Sequence, residues 1–304
     1  MKSLVNKVLG GLGLKRKPSL FFITSFGRTA TAWVASTLTL HPQVLCSHAA
    51  LFEPFNPHHK EAEEKERTIR AQRDEVGFYK MTLKQIYDRY RQERPDMRCV
   101  GNVHAFTAAS LEHKRLNEPG APPYTTVNLL RQPIVRMDSL WRRWRYERKL
   151  ETPFAQWIEK TPLEETLNKD AYAELRRRHD ISLDSFDDRA FFHAVFQLHM
   201  DDNDLLVKTV EHISSERLVS DIDYFAYVAE RLFGKAVPIT AAWLREVEAL
   251  GKVHASEGGS RNALQIFEEW KPWQRSVLSI FLDTRPNLKT EYPRYGYNLS
   301  LFTG

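Results

Sequence analysis

Short apolar runs, rich in β-branched and aromatic residues, recur along this chain, and each is followed by a longer segment with helical spacing. SLFFIT at 19–24 leads into a helical stretch over 29–40; QVLCS at 43–47, RCVGNV at 98–103 and YTTVNLL at 124–130 are the next such runs. Runs of this length between polar segments read as strands. Strands separated by helices imply a parallel sheet, because parallel neighbours need a long crossover between them. The expected fold is therefore α/β, a central parallel β-sheet flanked by helices. At 304 residues the chain can form one large domain, expected over 19–304, behind a basic N-terminal tail at 1–18.

The remaining segments fit this plan. Pro133 suits the first turn of a helix running to about Leu150. Helical spacing dominates 151–204, with polar loops near 161–170 and 178–187, and a short strand is expected within 205–215. DYFAYVAERLFG at 223–234 reads as a helix stopped at Gly234, and a late helical region over 267–288 breaks at Pro272. Residues 58–95 stand apart. They are mostly polar and charged, and are expected to form exposed helices inserted between core strands, with a lid over the site as their functional reading.

Hydrophobic residues make up 42% and charged residues 27%, the balance of a soluble globular protein. A net charge of +5 suits an acidic ligand, a membrane surface or nucleic acid without choosing among them. The two cysteines, Cys46 and Cys99, lie in apolar runs, which argues against a disulfide framework or a zinc site. No run approaches the roughly 18 apolar residues of a membrane span. The N-terminal MKSLVNKVLGGLGLKRK is broken by lysine and glycine and does not read as a cleaved signal peptide. It is expected to be a frayed tail, with weak membrane-surface contact as its alternative, in a cytoplasmic protein. His58 and His59 are adjacent and are expected to be solvated rather than metal-bound.

Parallel sheets bind ligands at the carboxyl ends of their strands. The 19–24 strand ends in the turn Ser25-Phe26-Gly27-Arg28-Thr29. A helix starting near Thr29 would point free N–H groups at an anion there, with Arg28 adding charge and Thr29 and Thr31 adding hydroxyls. The turn lacks the Gly-Lys-Ser/Thr ending of a triphosphatase, and no acidic magnesium motif follows a strand. A second signal is Arg131 at the end of the 124–130 run, with Ser139 eight residues on. An arginine at a strand end and a helical hydroxyl can grip a phosphate from two sides.

Together these segments resemble the sulfotransferase family that uses 3'-phosphoadenosine-5'-phosphosulfate (PAPS). GRTATAWV (27–34) is similar to that family's Gly-Arg-Ser-Gly-Thr-Thr-Trp-Leu loop for the 5'-phosphosulfate, and LLRQPIVRMDSLWRR (129–143) to its Arg-x-Pro…Ser segment for the 3'-phosphate. LHPQVLCSH (40–48), ISSERLVSDIDYFAYVAERLFG (213–234) and WKPWQRSVLSIFLDTRPNLKTEYPRYGY (270–297) follow in the family's order, so the resemblance spans nearly the whole chain. Ala30 stands where the family usually has glycine and Ala32 where it has a second threonine.

The resemblance implies an α/β fold similar to nucleotide kinases, in which Ser25, Gly27, Arg28, Thr29, Ala30, Thr31 and Ala32 surround the 5'-phosphosulfate and Arg131 and Ser139 hold the 3'-phosphate. Arg261, in GGSRN (258–262), would reach the donor from a flexible lid. The sulfuryl group would pass to a hydroxyl or amine on a small molecule, carbohydrate or glycolipid, with no metal required. Arg28 would stabilise charge on the leaving group. Three residues compete as the base. Glu53 lies in LFEPF, flanked by apolar Leu51, Phe52 and Phe55, a setting that could raise a carboxylate's pKa. His48 lies just before it. His104 ends RCVGNVH, where cytosolic branches of the family carry Lys-Thr-His and this chain has Asn102 in the lysine position.

Two rivals remain open: a P-loop kinase, and a non-enzymatic basic protein binding nucleic acid or a membrane surface. WRRWRYERK (141–149) interleaves arginine with aromatics as nucleic-acid binders do. At helical spacing it is expected to present a packed aromatic stripe and a basic face instead, and no nucleic-acid partner is expected. Glu216, in SSERL, is expected to fix a loop by hydrogen bonds. The acceptor walls are expected from 58–95 and 151–190, and the oligomeric state is not readable.

Overall fold

A computed structural model of the chain describes residues 17–55, 61–160, 162–163, 169–251 and 262–302. Nearly all of the basic tail, the His58-His59 pair and Arg261 lie outside the described residues. Five strands, β1 (Ser19–Thr24), β2 (Val44–His48), β3 (Cys99–Val103), β4 (Tyr124–Leu130) and β5 (Glu211–Ser214), pair in the order β2-β3-β1-β4-β5. Every pairing is parallel, which bears out the expected α/β sheet.

The crossovers are helical. After β1 comes α1 (Thr31–Thr39); after β2 come α2 (Glu61–Lys80) and α3 (Leu83–Glu93); after β3 comes α4 (Ala108–Asn117). Between β4 and β5 run α5 (Pro133–Lys149), α6 (Pro153–Lys160), α7 (Lys169–Arg178), α8 (Phe186–Phe196) and α9 (Leu198–Leu205). The chain continues through α10 (Ser215–Ser220), α11 (Ile222–Phe233), α12 (Ala241–Leu250), α13 (Ala263–Glu269), α14 (Pro272–Thr284) and α15 (Pro286–Glu291).

The period of two along β1 divides the core. Phe21 and Ile23 enter one layer with Trp33, Val34 and Leu38 of α1 and Phe225 and Leu232 of α11. Leu20 and Phe22 enter the opposite layer with Leu83, Ile86 and Tyr90 of α3 and Leu111 of α4. A third cluster lies among α5, α8 and α14, centred on Ile134, Met137, Phe191, Phe192, Leu278 and Phe281. Burying each such side chain contributes about 1.5–3 kcal/mol. Gly101 in β3 lies beside Phe21 of β1, where an added Cβ would meet the Phe21 carbonyl oxygen at 2.3 Å.

Local chemistry sets the element ends. Gln132 caps the Val135 N–H (2.9 Å) ahead of Pro133 in α5. Gly234, at φ +55°, ends α11. The first helix begins at Thr31 rather than near Thr29, because Ala30 takes a left-handed conformation. Within the 58–95 insertion the described residues form α2 and α3, helical as expected but not simply exposed. Leu83, Ile86, Tyr87 and Tyr90 recur at i, i+3, i+4 and i+7, a narrow apolar stripe that α3 buries within a charged sequence. In α2, Arg67, Thr68 and Phe78 are buried as well.

Candidate active site

The segment joining β1 to α1 is tightly coiled. Gly27, Arg28 and Ala30 all have positive φ (88°, 57° and 60°). For a residue with a Cβ, that region costs about 1–2 kcal/mol. Ala49, just past β2, and His104, just past β3, share it (58° and 71°), so strained backbone gathers at the carboxyl ends of three adjacent strands. Such strain persists where the surroundings enforce it, and it is common at functional sites. Ser25 Oγ accepts the Gly27 N–H (3.0 Å) and hydrogen-bonds to Thr29 Oγ1. Ala30 caps α1 without a side-chain bond, so the first-turn N–H groups have no side-chain acceptor from the cap. Those N–H groups and the positive end of the helix dipole suit an anion. Ala30 and Ala32 pack against the α1 core layer and offer no donor side chain.

The second segment meets the first directly. Arg28 Nε donates to Ser139 Oγ at 2.9 Å, across 111 residues of chain. Arg131 Nη1 donates to the Arg28 carbonyl at 2.7 Å. Burial lowers the Arg131 pKa, an effect opposed by Glu216, and a guanidinium stays charged even so. Glu216 fixes this corner by accepting from the Gln132 N–H (3.1 Å) and from the Tyr297 hydroxyl (2.6 Å). Burial first, and the Glu216 charge second, raise the Tyr297 pKa, so the phenol stays a donor.

The three candidate bases differ in what their lone pairs do. A carbonyl only accepts, so His104 Nδ1 must donate its proton to the Ser25 carbonyl (3.0 Å). The neutral ring then carries its lone pair on Nε2, which has no hydrogen-bond partner among the described residues. Burial lowers the His104 pKa; the Ser25 bond and Glu75 oppose this, and Arg28 adds to it, so the ring is neutral near pH 7. The ring lies against Gly27, where a Cβ would sit 3.0 Å from its Cε1.

His48 uses both nitrogens. Arg67 Nη2 approaches Nδ1 at 3.2 Å, and Nε2 approaches Thr31 Oγ1 at 3.0 Å. Its ring centroid is 5.8 Å from that of His104. Glu53 is paired with Arg70, and its side chain is 42% exposed. Its apolar neighbours therefore do not desolvate it: Phe55 packs beneath Arg67 (4.5 Å) and against His48, while Phe52 packs on Phe78.

Sequence reasoning missed several of these residues. Arg67, Arg70 and Glu75 belong to the polar insertion, and hydropathy carries no signal for an arginine buried through its hydrogen bonds. Asn102 is structural. Its Nδ2 donates to Ser47 Oγ (2.8 Å) and the Ala49 carbonyl (2.7 Å), and its Oδ1 accepts from the Ala105 N–H (2.8 Å), pinning the corner that carries His104.

In α5, Arg142, Arg143, Arg145 and Arg148 each pair with a carboxylate, those of Asp138, Glu147, Asp187 and Glu159, while Trp144 is buried. Among the described residues no helix is long and apolar enough to cross a membrane.

No protein-family model matches the chain, and no curated protein matches it by sequence. Solved structures similar to it include a sulfotransferase from Alicyclobacillus acidocaldarius, at 17% identity and a TM-score of 0.41, covering 94% of this chain and 98% of that one. Another is mouse sulfotransferase SULT7A1 complexed with PAP, at 12% identity and a TM-score of 0.41, covering 91% of this chain and 87% of that one. Both likenesses are distant, so the chemistry of the site has to come from its own side chains.

Proposed function

We propose that this chain is a sulfotransferase that moves a sulfuryl group from PAPS to a hydroxyl or amine acceptor on a small molecule or glycan. The observation that carries the proposal is the Arg28–Ser139 hydrogen bond (2.9 Å), which joins two phosphate-type segments at the carboxyl ends of β1 and β4. The donor set fits a ligand with two phosphate groups. The α1 N–H groups, the Thr31 hydroxyl and Arg28 suit one; Arg131 and Ser139 suit the other. The turn carries no lysine, which disfavours the kinase reading. The carboxylate partners along α5 leave less basic surface for nucleic acid.

When bound, PAPS supplies a sulfuryl group carried on a phosphate leaving group. Arg28 places a fixed positive charge where negative charge builds on that leaving group. Arg131 and Ser139 orient the nucleotide. His104 Nε2 takes the acceptor proton, and the Nδ1–H bond to the Ser25 carbonyl holds the ring in the required tautomer and stabilises the imidazolium that forms. His48 and Glu53 are occupied by Arg67 and Arg70 and are poorer bases.

The test is incubation with radiolabelled PAPS and pools of hydroxyl- and amine-bearing acceptors. Label should pass to an acceptor with the native protein and fail to do so with Arg28→Ala. Transfer of labelled phosphate from ATP, with none from PAPS, would support the kinase instead.

A further inference from the structure

The helical insertion reaches the anion loop through partly buried hydrogen bonds. Arg67 of α2 is 6% exposed, and its Nη2 lies 3.2 Å from His48 Nδ1 and 3.3 Å from the His48 carbonyl. A guanidinium only donates, so Nδ1 must accept. The neutral ring is then protonated at Nε2 and donates to Thr31 Oγ1 at 3.0 Å. Thr31, 7% exposed, is the first residue of α1 and stands at the anion-binding end of that helix. With one lone pair taken by His48, its hydroxyl hydrogen has no acceptor among the described residues. A buried hydroxyl with an unspent donor at a helix N-terminus is primed for an anion.

We propose that Arg67 and His48 are positioning residues that orient the Thr31 hydroxyl as a donor to the 5'-phosphate of the bound nucleotide. The proposal rests on the sulfotransferase reading and extends it. His48 serves the donor loop rather than the acceptor proton, and the docking of α2 contributes to nucleotide affinity. The segment expected to wall the acceptor is thereby tied to the donor site.

The experiment is calorimetric titration of the full chain with adenosine 3',5'-bisphosphate. His48→Gln keeps an acceptor and a donor on one amide, whereas His48→Phe keeps only a ring that can pack on Phe55. A hydrogen-bond relay makes the glutamine variant bind close to native affinity and the phenylalanine variant about ten- to a hundredfold weaker. A packing role gives the reverse order, and that result overturns the relay.

Arg67→Met and Thr31→Val supply a second, independent reading. Each should weaken binding, and the double variant should be no weaker than Thr31→Val alone, because the relay acts through Thr31. Losses that multiply would also overturn the proposal. If the native chain itself fails to bind the bisphosphate, the sulfotransferase reading falls and the relay falls with it. Binding by the native chain with His48→Phe unimpaired removes the relay alone.

Discussion

Replacing His104 with alanine separates catalysis from binding. Two interactions are lost. The first is the Nε2 lone pair, whose proposed service as a positioned base would contribute roughly 10²–10⁴-fold to rate. At 1.36 kcal/mol per factor of ten, that is about 2.7–5.4 kcal/mol of transition-state stabilisation. The second is the neutral Nδ1–H bond to the Ser25 carbonyl (3.0 Å), which contributes about 1 kcal/mol to holding the loop. Nucleotide affinity should therefore weaken by no more than about fivefold while kcat falls at least a hundredfold. Single-turnover transfer from radiolabelled PAPS, paired with calorimetry, reads the two effects apart.

The pH dependence adds a second mark. Only the neutral ring is a base, and burial holds its pKa below the ordinary histidine value. Native kcat/KM should stay flat above about pH 6.5 and fall as pH drops through the lowered pKa. His104→Ala should lack that acid limb. The reasoning is refuted if His104→Ala keeps a near-native kcat, and more so if Glu53→Gln loses a hundredfold.

Arg28→Ala should lower kcat by roughly a hundredfold or more, and Arg28→Lys should recover part of it, since a point charge returns without the planar fork; steady-state kinetics decides. Gly27→Ala places a Cβ at φ +88° and 3.0 Å from the His104 ring, so it should destabilise the fold by at least about 1 kcal/mol and lower kcat together. Ala30→Gly removes left-handed strain but adds unfolded-state entropy, leaving a net gain of about 0–1 kcal/mol in urea denaturation. His193, whose Nε2 is buried with no hydrogen-bond partner among the described residues, has its pKa pushed down to about 4 by burial and by Arg189. The folded state then binds fewer protons than the unfolded one, so stability is complete above about pH 6.5 and declines towards pH 4, by on the order of 3 kcal/mol. His193→Phe should flatten that decline between denaturation curves at pH 7 and pH 4.5.

The sheet was legible because β1 to β4 are short runs rich in apolar and β-branched residues between helical segments. The expected bounds of 19–24 and 124–130 coincide with β1 and β4, and QVLCS is displaced by one residue from β2. Pro133 and Gly234 marked helix ends through backbone chemistry that needs no tertiary context. The two segments that carry Arg28 and Ser139 could be picked out separately, since each begins where a strand ends, but the bond between them could not.

What the sequence hid depends on contacts between distant polar groups. Glu53 looked desolvated beside Phe52 and Phe55, yet successive residues of a loop face different ways, and the carboxylate found Arg70. Arg67 is buried by a histidine, a carbonyl and an aromatic ring, none of which leaves a trace in the pattern of α2. The tautomers of His48 and His104, on which their proposed roles rest, follow only from which partners they meet.

The most direct measurement is calorimetric titration of the native chain and of Ser139→Ala with adenosine 3',5'-bisphosphate and with AMP. The Arg28–Ser139 bond joins the segments after β1 and β4, where the proposed site has donors for two phosphates. The native chain should bind the bisphosphate at least tenfold more tightly than AMP, and Ser139→Ala should erase most of that preference, the scale of one hydrogen bond to a charged group. Equal affinity for the two nucleotides, or no binding of either, would contradict the account.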